Sequence, residues 1–188
     1  MTSGVLETDR LLLCPWSETH TALLARLSSK PDVVRYIGSG IPWAPSTAAD
    51  VAARQLEHWR EHGFGWRAAI EKATGERVGF MTLNVAGEGT LGLDPSEHEI
   101  GWWLDPAAWG RGFAREGGRA MRDEAFGSVH ATSVVARIQP ENEASIGVAS
   151  AIGLVFDFST TGRAAEPVDV HRLTSSTVSS GPGRYSLA

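Results

Sequence analysis

Cysteine, lysine, tyrosine and long apolar runs are all scarce in this chain of 188 residues. The single cysteine, Cys14, excludes an intrachain disulfide and any zinc site built from several cysteines. No stretch approaches the roughly 20 apolar residues that span a bilayer, so no membrane partner is expected. Glu7, Asp9 and Arg10 stand where a signal peptide would need an apolar segment, which predicts a cytoplasmic protein.

Basic charge is also in deficit, with 17 Lys and Arg against 22 Asp and Glu and a formal net charge of −5. A general nucleic-acid binder shows a basic stripe, so no nucleic-acid partner is expected. The apolar fraction of 42% and charged fraction of 21% are typical of a globular protein. We expect a single domain over residues 1–173, followed by a flexible tail rich in Ser and Gly at 174–188.

The order of predicted elements mixes strands and helices. Thr47 with Asp50 resembles a capping box and predicts a helix that Gly63 ends. The apolar runs 66–71 and 77–84 predict a hairpin. Further strands are predicted at 10–14, 99–104, 132–138, 154–158 and 168–173, and further helices at 17–27, up to about 126, and 143–152. Because hairpin links dominate this order, the sequence predicts an α+β fold.

Small residues at Gly110, Gly112 and Ala114 separate the strand 99–104 from the helix behind it. Without bulky side chains, the backbone N–H groups of such a turn point into one concavity. The helix that follows adds its unpaired first-turn donors and the positive end of its dipole. Arg111 and Arg115 stand beside this turn, so the segment predicts a phosphate or diphosphate site.

The ligand of this turn is not fixed by the glycines themselves. A Walker loop needs Gly-Lys-Ser/Thr, and neither lysine of the chain follows a glycine in that pattern. The dinucleotide fingerprint needs Gly or Ala where Arg115 stands. A tight corner between strand and helix, with no ligand, remains an alternative at this point.

The run Glu99-Ile100-Gly101-Trp102-Trp103-Leu104-Asp105-Pro106 followed by Trp109-Gly110-Arg111-Gly112-Phe113-Ala114-Arg115-Glu116 resembles the acetyl-CoA motif of the GNAT superfamily of N-acetyltransferases. It is most similar to the RimJ/RimL-like branch, which acetylates ribosomal-protein N-termini. Three other segments resemble that branch in the same order: 6–11, 31–36 and 140–145. The resemblance covers about residues 5–158.

The resemblance implies a splayed, mostly antiparallel central sheet with helices on both faces. Pantetheine would lie beside the strand 99–104 and pair with main-chain groups of Trp102 and Leu104. Asn142 would bind the pantetheine arm, and Ser145 would lie near the thioester sulfur. The resemblance assigns the diphosphate to the turn formed by Trp109, Gly110, Arg111, Gly112, Phe113, Ala114 and Arg115. The implied co-substrate is acetyl-CoA, and no metal is implied.

Two features depart from the family pattern. The acid tyrosine of many relatives has no match near 145–155, because the chain has tyrosines only at Tyr36 and Tyr185. Ser145 is therefore the candidate hydrogen-bond donor to the leaving thiolate. Gly117 and Gly118 lie inside a predicted helix, where each costs about 1 kcal/mol relative to Ala. Close packing of this helix on a strand is one interpretation.

Acetyl transfer to an amine requires a neutral amine, a polarised thioester and a stabilised thiolate. An α-amine with pKa ~8 is partly neutral at physiological pH, whereas a lysine amine with pKa ~10.4 is almost fully charged. Glu99 is the candidate base, acting directly or through water. An ion pair of Glu99 with an arginine is the alternative interpretation. A backbone N–H in the strand 99–104 would bind the oxyanion.

Three aromatic residues, Tyr36, Trp43 and Trp66, are candidates for an acceptor pocket, because the family's layout places this half of the chain at the thioester end. Taken singly, each is better explained as a core aromatic. The excess of acidic residues favours a cationic acceptor. The chain is predicted to transfer acetyl to a protein N-terminal α-amine or a small-molecule amine by direct attack in a ternary complex. The sequence leaves open whether it acts as a monomer or a homodimer.

Two other functions compete with this one. His58-Trp59-Arg60-Glu61-His62 matches the H-x-x-E-H pattern of a metallopeptidase group, in which two histidines bind zinc and Glu61 is the base. The same residues are also explained as the last turn of a helix, where histidine complements the dipole. The second alternative is a non-catalytic acyl-CoA-binding module of the same fold.

Overall fold

The computed structural model describes residues 4–87 and 90–175, and within these ranges an α+β fold is formed. The strands are β1 (Leu6–Glu7), β2 (Leu11–Pro15), β3 (Arg67–Glu71), β4 (Arg77–Val85), β5 (His98–Leu104), β6 (Ser133–Ile138), β7 (Val155–Thr161) and β8 (Pro167–Thr174). The helices are α1 (Thr21–Ser28), α2 (Pro31–Val34), α3 (Pro45–His62), α4 (Phe113–Gly127) and α5 (Glu143–Ala151), with short 3₁₀ turns at Glu18–His20 and Pro106–Ala108.

The strands form one sheet in the order β1-β2-β3-β4-β5-β6-β8-β7. Its pairs are antiparallel except β5 with β6, which are parallel. β5 and β6 pair only where His98 meets Val134 and Glu99 meets Val135. Beyond Glu99 the two strands diverge, so the sheet splays open. The predicted mostly antiparallel, splayed sheet is confirmed.

Neighbouring residues of β3 and β4 face opposite sides of the sheet, because side chains alternate along a strand. Ala68 and Phe80 belong to a cluster with α1 and α3, and the following residues Ala69 and Met81 belong to a cluster with α4. The first cluster includes Trp16, Leu24, Leu27, Ala48, Ala52 and Trp66, and the second includes Leu11, Leu13, Leu83, Phe113, Met121 and Ile152. Helices therefore cover both faces, as predicted.

The start of α3 differs from the prediction. The helix begins at Pro45 with Ala44 as its N-cap, two residues before the expected capping box at Thr47. Proline at the first helical position has φ fixed near its helical value and needs no N–H partner, so it can start the helix without a side-chain cap. The end is as predicted: Gly63 adopts φ +74 and donates its N–H to Trp59 O.

The paired glycines of α4 are explained by its approach to β4 and β5. A Cβ at Gly117 would lie 2.5 Å from Met81 Cε, a distance that real side chains do not tolerate. A Cβ at Gly118 would lie 3.3 Å from Ile152 Cδ1 and 3.6 Å from Trp102 Cε3. Close packing against Met81 of β4 therefore explains Gly117, and close packing against Ile152 at the end of α5 explains Gly118.

A buried ion pair also fixes α4 to β3, on the same face of the sheet. Arg67 on β3 is fully buried, and its guanidinium donates to both carboxylate oxygens of Glu124 on α4. Arg67 Nη1 also donates to Gly4 O at 2.8 Å. Losing either partner would leave an uncompensated buried charge, so the pair holds the helix in one position.

The last strand, β8, ends close to the last residue that the structure describes. β8 runs to Thr174, and the Ser175 N–H donates to Thr132 O at 2.9 Å. Residues 176–188 of the predicted tail lie outside the described residues. Of the helices that the structure describes, none combines the length and apolar character needed to cross a bilayer.

Candidate active site

The divergence of β5 from β6 exposes one edge of β5. Asp105 donates its N–H to Val78 O on the β4 side. Because backbone groups alternate in direction along a strand, Trp102 and Leu104 must point theirs away from β4, into the gap. These are the two residues predicted to pair with pantetheine. The Leu104 carbonyl accepts a bond from Trp109 Nε1 at 3.0 Å, whereas Trp102 keeps both groups directed into the gap.

The turn after β5 gathers backbone donors at the start of α4. Gly110 and Gly112 adopt φ +70 and +82, which lets the chain fold back on itself. Within residues 4–87 and 90–175, no acceptor lies in hydrogen-bonding position for the N–H groups of residues 110–115. The first internal bond of the helix runs from Glu116 N–H to Gly112 O. Six successive donors thus surround the positive end of a 15-residue helix.

Trp109, which the sequence predicts to be part of the diphosphate-binding turn, has a structural role instead. Its N–H donates to Pro106 O at 3.1 Å, within the 3₁₀ turn, and its indole donates to Leu104 O. It is therefore not a free backbone donor. Trp109 instead fixes the position of the turn relative to the end of β5.

The arginines beside the turn also divide into two kinds. The Arg111 side chain is directed away from the turn. Its Nη1 and Nη2 both donate to the Glu71 carboxylate, and its Cζ lies 4.6 Å from the centre of the Phe113 ring. The hydrogen bond from Arg111 lowers the pKa of Glu71. Arg115 is exposed and has no ion pair in the part of the chain that the structure describes. Arg115 is thus the side chain available to an anion, whereas the charge of Arg111 is already compensated.

Ser145 and Trp102 form a hydrogen-bonded pair at the wide end of the gap. Trp102 Nε1 donates to Ser145 Oγ at 3.2 Å, so the serine hydroxyl keeps its own proton for another acceptor. Asn142 is the N-cap of α5 and accepts from the Ser145 N–H through Oδ1. Its Nδ2 is a donor that this cap does not use. The indole of Trp102 was not predicted, because the resemblance assigned only its main chain.

A cleft of about 260 Å³ lies where β5 and β6 separate. It brings together predicted residues from the segment 36–43, from the position just before β3, from β5 and from the start of α5, but not Leu104 or the turn 109–115. The predicted residues in its lining are Tyr36, Trp43, Trp66, Glu99, Trp102, Asn142 and Ser145. Catalytic, pantetheine-binding and acceptor candidates thus share one cleft.

Glu99 forms an ion pair at the floor of this cleft. Arg137 on β6 donates to both of its oxygens, from Nη2 at 2.9 and 2.8 Å and from Nε at 3.0 Å. Arg163 approaches Glu99 Oε2 at 3.9 Å. These contacts occupy lone pairs that a base would need, so the geometry favours the ion-pair interpretation that the sequence left open.

The three aromatic candidates differ in burial. Trp66 is only 7% exposed and stacks on Phe80, so it serves the core as well as the cleft. Trp43 meets Trp103 edge to face with ring centres 5.4 Å apart. Tyr36 lies on the segment that precedes Trp43 and lines the same cleft. All three line the cleft together with Trp103.

His58 does not have the geometry of a zinc ligand. Its Nδ1 lies 3.0 Å from Phe64 O, and its Nε2 accepts from the Val85 N–H at 3.3 Å. Both ring nitrogens are therefore engaged in structural hydrogen bonds. Glu61 and His62 lie at the exposed end of α3, and no group of three or more metal-binding side chains forms within the described ranges. The alternative of a helix end explains this motif.

Sequence reasoning missed several polar residues of the cleft. Arg137 is the one with a detectable signal, because it interrupts an apolar strand that runs from Ser133 to Ile138. The rest come from distant segments and carry no local pattern: Thr82, Asn84, Gln139, Arg163 and Glu166. Their convergence is a product of the sheet's topology.

Comparison with known proteins identifies the domain. The family described as Acetyltransferase (GNAT) domain matches residues 10–155. The uncharacterized protein YkkB of Bacillus subtilis is 31% identical over 158 residues, which are 79% of this chain and 84% of that protein. The FsC-acetyl coenzyme A-N(2)-transacetylase of Aspergillus fumigatus is 29% identical over 79% of this chain, and the match spans 64% of that enzyme's length.

Solved structures agree with this result. An acetyltransferase from Agrobacterium tumefaciens is 28% identical with a TM-score of 0.77, over 92% of this chain and 95% of that one. The fold alone is shared with two others. They are aminoglycoside acetyltransferase AAC(6')-Ib with ribostamycin and coenzyme A, at 19% identity and TM-score 0.74, and RimL, the ribosomal L7/L12 α-N-protein acetyltransferase, at 14% and 0.71.

Proposed function

This chain belongs to the GNAT acetyltransferase family, and from that membership and its site we propose that it transfers an acetyl group from acetyl-CoA to an amine. The reaction is direct attack of the amine on the thioester in a ternary complex. The observation that carries the proposal is the set of unpaired N–H groups at residues 110–115, placed next to the open edge of β5. Such a set of donors suits a diphosphate.

Acetyl-CoA, the acetyl donor, would lie along the open edge of β5. The diphosphate would accept bonds from the turn, with Arg115 supplying positive charge beside it. Pantetheine would continue along β5 and pair with Trp102, as an added strand does. Asn142 Nδ2 would donate to an amide oxygen of the arm. The thioester would then reach the cleft at Ser145.

Ser145 is the proposed proton donor to the leaving thiolate. Trp102 Nε1 already donates to its oxygen, which strengthens the serine as a donor and directs its proton elsewhere. As the amine attacks, the thioester carbonyl oxygen gains negative charge, and a backbone N–H of β5 would bind it. The attacking nitrogen then loses its extra proton to water, and the intermediate collapses as its C–S bond breaks. The leaving thiolate takes the proton of Ser145, and the serine hydroxyl is restored by a proton from water.

Glu99 has a positioning role in this proposal. Its bidentate pair with Arg137 fixes β5 to β6 at the point where the gap begins. An α-amine or another amine with pKa near 8 loses its proton to water often enough to react without a dedicated base. The incoming amine would thus be received at the cleft already neutral.

The identity of the amine acceptor is a separate part of the proposal. The motifs at 6–11, 31–36 and 99–116 support the RimJ/RimL-like branch, and with it a protein α-amine. The fold is equally shared with an aminoglycoside acetyltransferase, which supports a small-molecule amine. Cytoplasmic location stays a prediction from the sequence.

Calorimetry with acetyl-CoA tests the site directly. Gly112→Ala should raise the Kd at least about tenfold, because a residue other than glycine at φ +82 costs about 1–2 kcal/mol and shifts the turn. Gly63→Ala is the matched control, since it has φ +74 with open space around it and lies far from the turn. Equal Kd values for the two variants would contradict the assignment.

Thiol release separates an enzyme from a non-catalytic acyl-CoA-binding module. Acetyl-CoA is mixed with a panel of amines and free thiol is followed over time. Release that depends on an amine supports the enzyme, whereas tight binding of acetyl-CoA without release supports the module.

A further inference from the structure

Residues 36–43 form a strap that connects α2 to α3 and passes over the cleft. The strap is fixed at both ends by backbone bonds, from Ile37 N–H to Val34 O at 2.8 Å and from Trp43 N–H to Ser28 O at 2.9 Å. The Trp43 ring rests on Trp103 of β5. The strap is therefore held in one path above the sheet.

The strap also reaches the far side of the cleft. Gln139, which comes directly after β6, donates from Nε2 to Gly38 O at 2.9 Å. A Cβ built on Gly38 would lie 3.6 Å from Ala164 Cβ, so the strap also touches the β7–β8 hairpin. Gly38 has φ +54, a conformation that favours glycine at this contact. The gap between β5 and β6 is thus bridged on its acceptor side.

The space left beneath this bridge is small. The cleft measures about 260 Å³, and one end of it is lined by Trp102, Asn142 and Ser145, where the thioester would lie. Pockets for drug-sized ligands measure about 300–1,000 Å³.

The charges inside the cleft are balanced. Glu99 and Glu166 face Arg137 and Arg163, and the remaining wall is aromatic, aliphatic or made of neutral polar groups. The lining therefore does not carry the negative charge that would select a polycation. It thus adds no support to the sequence-based expectation of a cationic acceptor, which rested on the charge of the chain as a whole.

We propose that the acceptor is a small free amine that fits entirely beneath the strap, and that the bond between Gln139 and Gly38 excludes amines attached to a peptide chain. This inference rests on the proposed acetyl transfer. The first residues of a protein N-terminus would have to enter the cleft while the chain attached to them leaves past the bridge between Gln139 and Gly38. A compact amine would need only the cleft itself.

Matched acceptors test the proposal. Amino-acid amides and hexapeptide amides that begin with the same residue present the same kind of α-amine and differ mainly in the length of chain attached to it. Small alkyl and aryl amines, each with and without a bulky chain attached, extend the panel. We expect kcat/KM for the compact member of reactive pairs to exceed that for the long member at least tenfold.

The strap is tested by Gln139→Ala, which removes the donor to Gly38 O. The variant should lower the preference for compact amines at least threefold, through a lower KM for the long acceptors. Gln139→Glu keeps a similar size without a donor and should behave in the same way. Thr160→Val is the control, because it removes another side-chain bond to a carbonyl at 2.9 Å, from Thr160 Oγ1 to Leu91 O. Neither of these residues lines the cleft.

The outcomes separate this inference from the proposed function. Absence of acetyl-CoA binding by calorimetry would reject the proposed function itself. Binding of acetyl-CoA with equal use of compact and long amines, or with no reaction of any compact amine, would reject the small acceptor and leave coenzyme A recognition standing. An unchanged preference in both Gln139 variants would reject the role of the strap.

Discussion

Trp102 contributes both its main chain and its side chain to the site. Its main chain points into the gap beside β5, and its indole N–H donates to Ser145 Oγ. The strand 99–104 is recognisable from its apolar sequence, but the indole contact depends on α5 returning to the sheet 43 residues later. The role of this side chain is set by the distant element that it meets.

Ser145→Ala should lower kcat about 10–100-fold, because a hydrogen bond to a charged group contributes about 1.5–3 kcal/mol. Trp102→Phe should lower kcat to a smaller extent, since the serine remains and loses only its supporting donor. Steady-state kinetics with a saturating amine measure both. Ser150→Ala, on the exposed side of the same helix, is the control, and a kcat for Ser145→Ala equal to that of the control would contradict the assignment.

The role of Glu99 is decided by comparing it with its partner. If Glu99 positions the strands through Arg137, then Glu99→Gln and Arg137→Gln should lower kcat/KM by similar factors and leave the shape of its pH profile unchanged. If Glu99 were the base, Arg137→Gln would free it, and only Glu99→Gln would remove the acidic limb of the profile. Profiles of kcat/KM for both variants distinguish the two roles.

The position of helix α4 on the sheet depends on the absence of a side chain at Gly117. Gly117 lets its backbone approach Met81, and this approach directs the first turn of the helix toward the open edge of β5. The sequence shows the glycines and their cost to a helix. It does not show the neighbour that requires them, because Met81 lies on another element.

Gly117→Ala should destabilise the fold by about 1–3 kcal/mol from overpacking, against a gain of about 1 kcal/mol in helix propensity. A net loss in the free energy of unfolding is therefore expected in chemical denaturation. Gly127→Ala is the matched control in the same helix, since a Cβ there meets nothing within 4 Å. Stabilisation by both variants would contradict the packing explanation.

Acid should destabilise the folded chain through histidines that are buried or half-buried. Burial lowers the pKa of His58 and of His98 below the usual 6.5, and the nearby His62 lowers both further. Burial also lowers the pKa of His20. Between each lowered value and 6.5 the unfolded chain binds protons that the folded chain does not, so stability falls as the pH drops through this window.

Calorimetry at pH 7.5, 6 and 5 should therefore show a Tm that decreases below about pH 6.5. His58→Gln should reduce that decrease, because glutamine does not titrate. His130→Asn, at an exposed position, is the control and should retain the full decrease. A Tm that rises on acidification would contradict the assigned direction of the shifts.

Local patterns in the chain were enough to predict the class of fold and most of its elements. The hairpin expected at 66–71 and 77–84 forms at Arg67–Glu71 and Arg77–Val85, because alternation and turn residues act over a few neighbours. The start of α3 was misplaced, because a proline at Pro45 served where a capping box was expected. The glycine turn at 110–112 was recognised because its backbone conformation is specified locally.

Tertiary structure alone decided how charges and space are used. Arg111 forms an ion pair with Glu71, and Arg137 forms one with Glu99. Gln139 donates a hydrogen bond to Gly38 O in the strap. The residues of each pair are separated by 38 or more positions in the chain. Such partners are chosen by the order of strands in the sheet and by which faces the helices cover. The physical reason is that turns and periodicity act along the chain, whereas ion pairing and the size of a cleft depend on segments that meet only after folding.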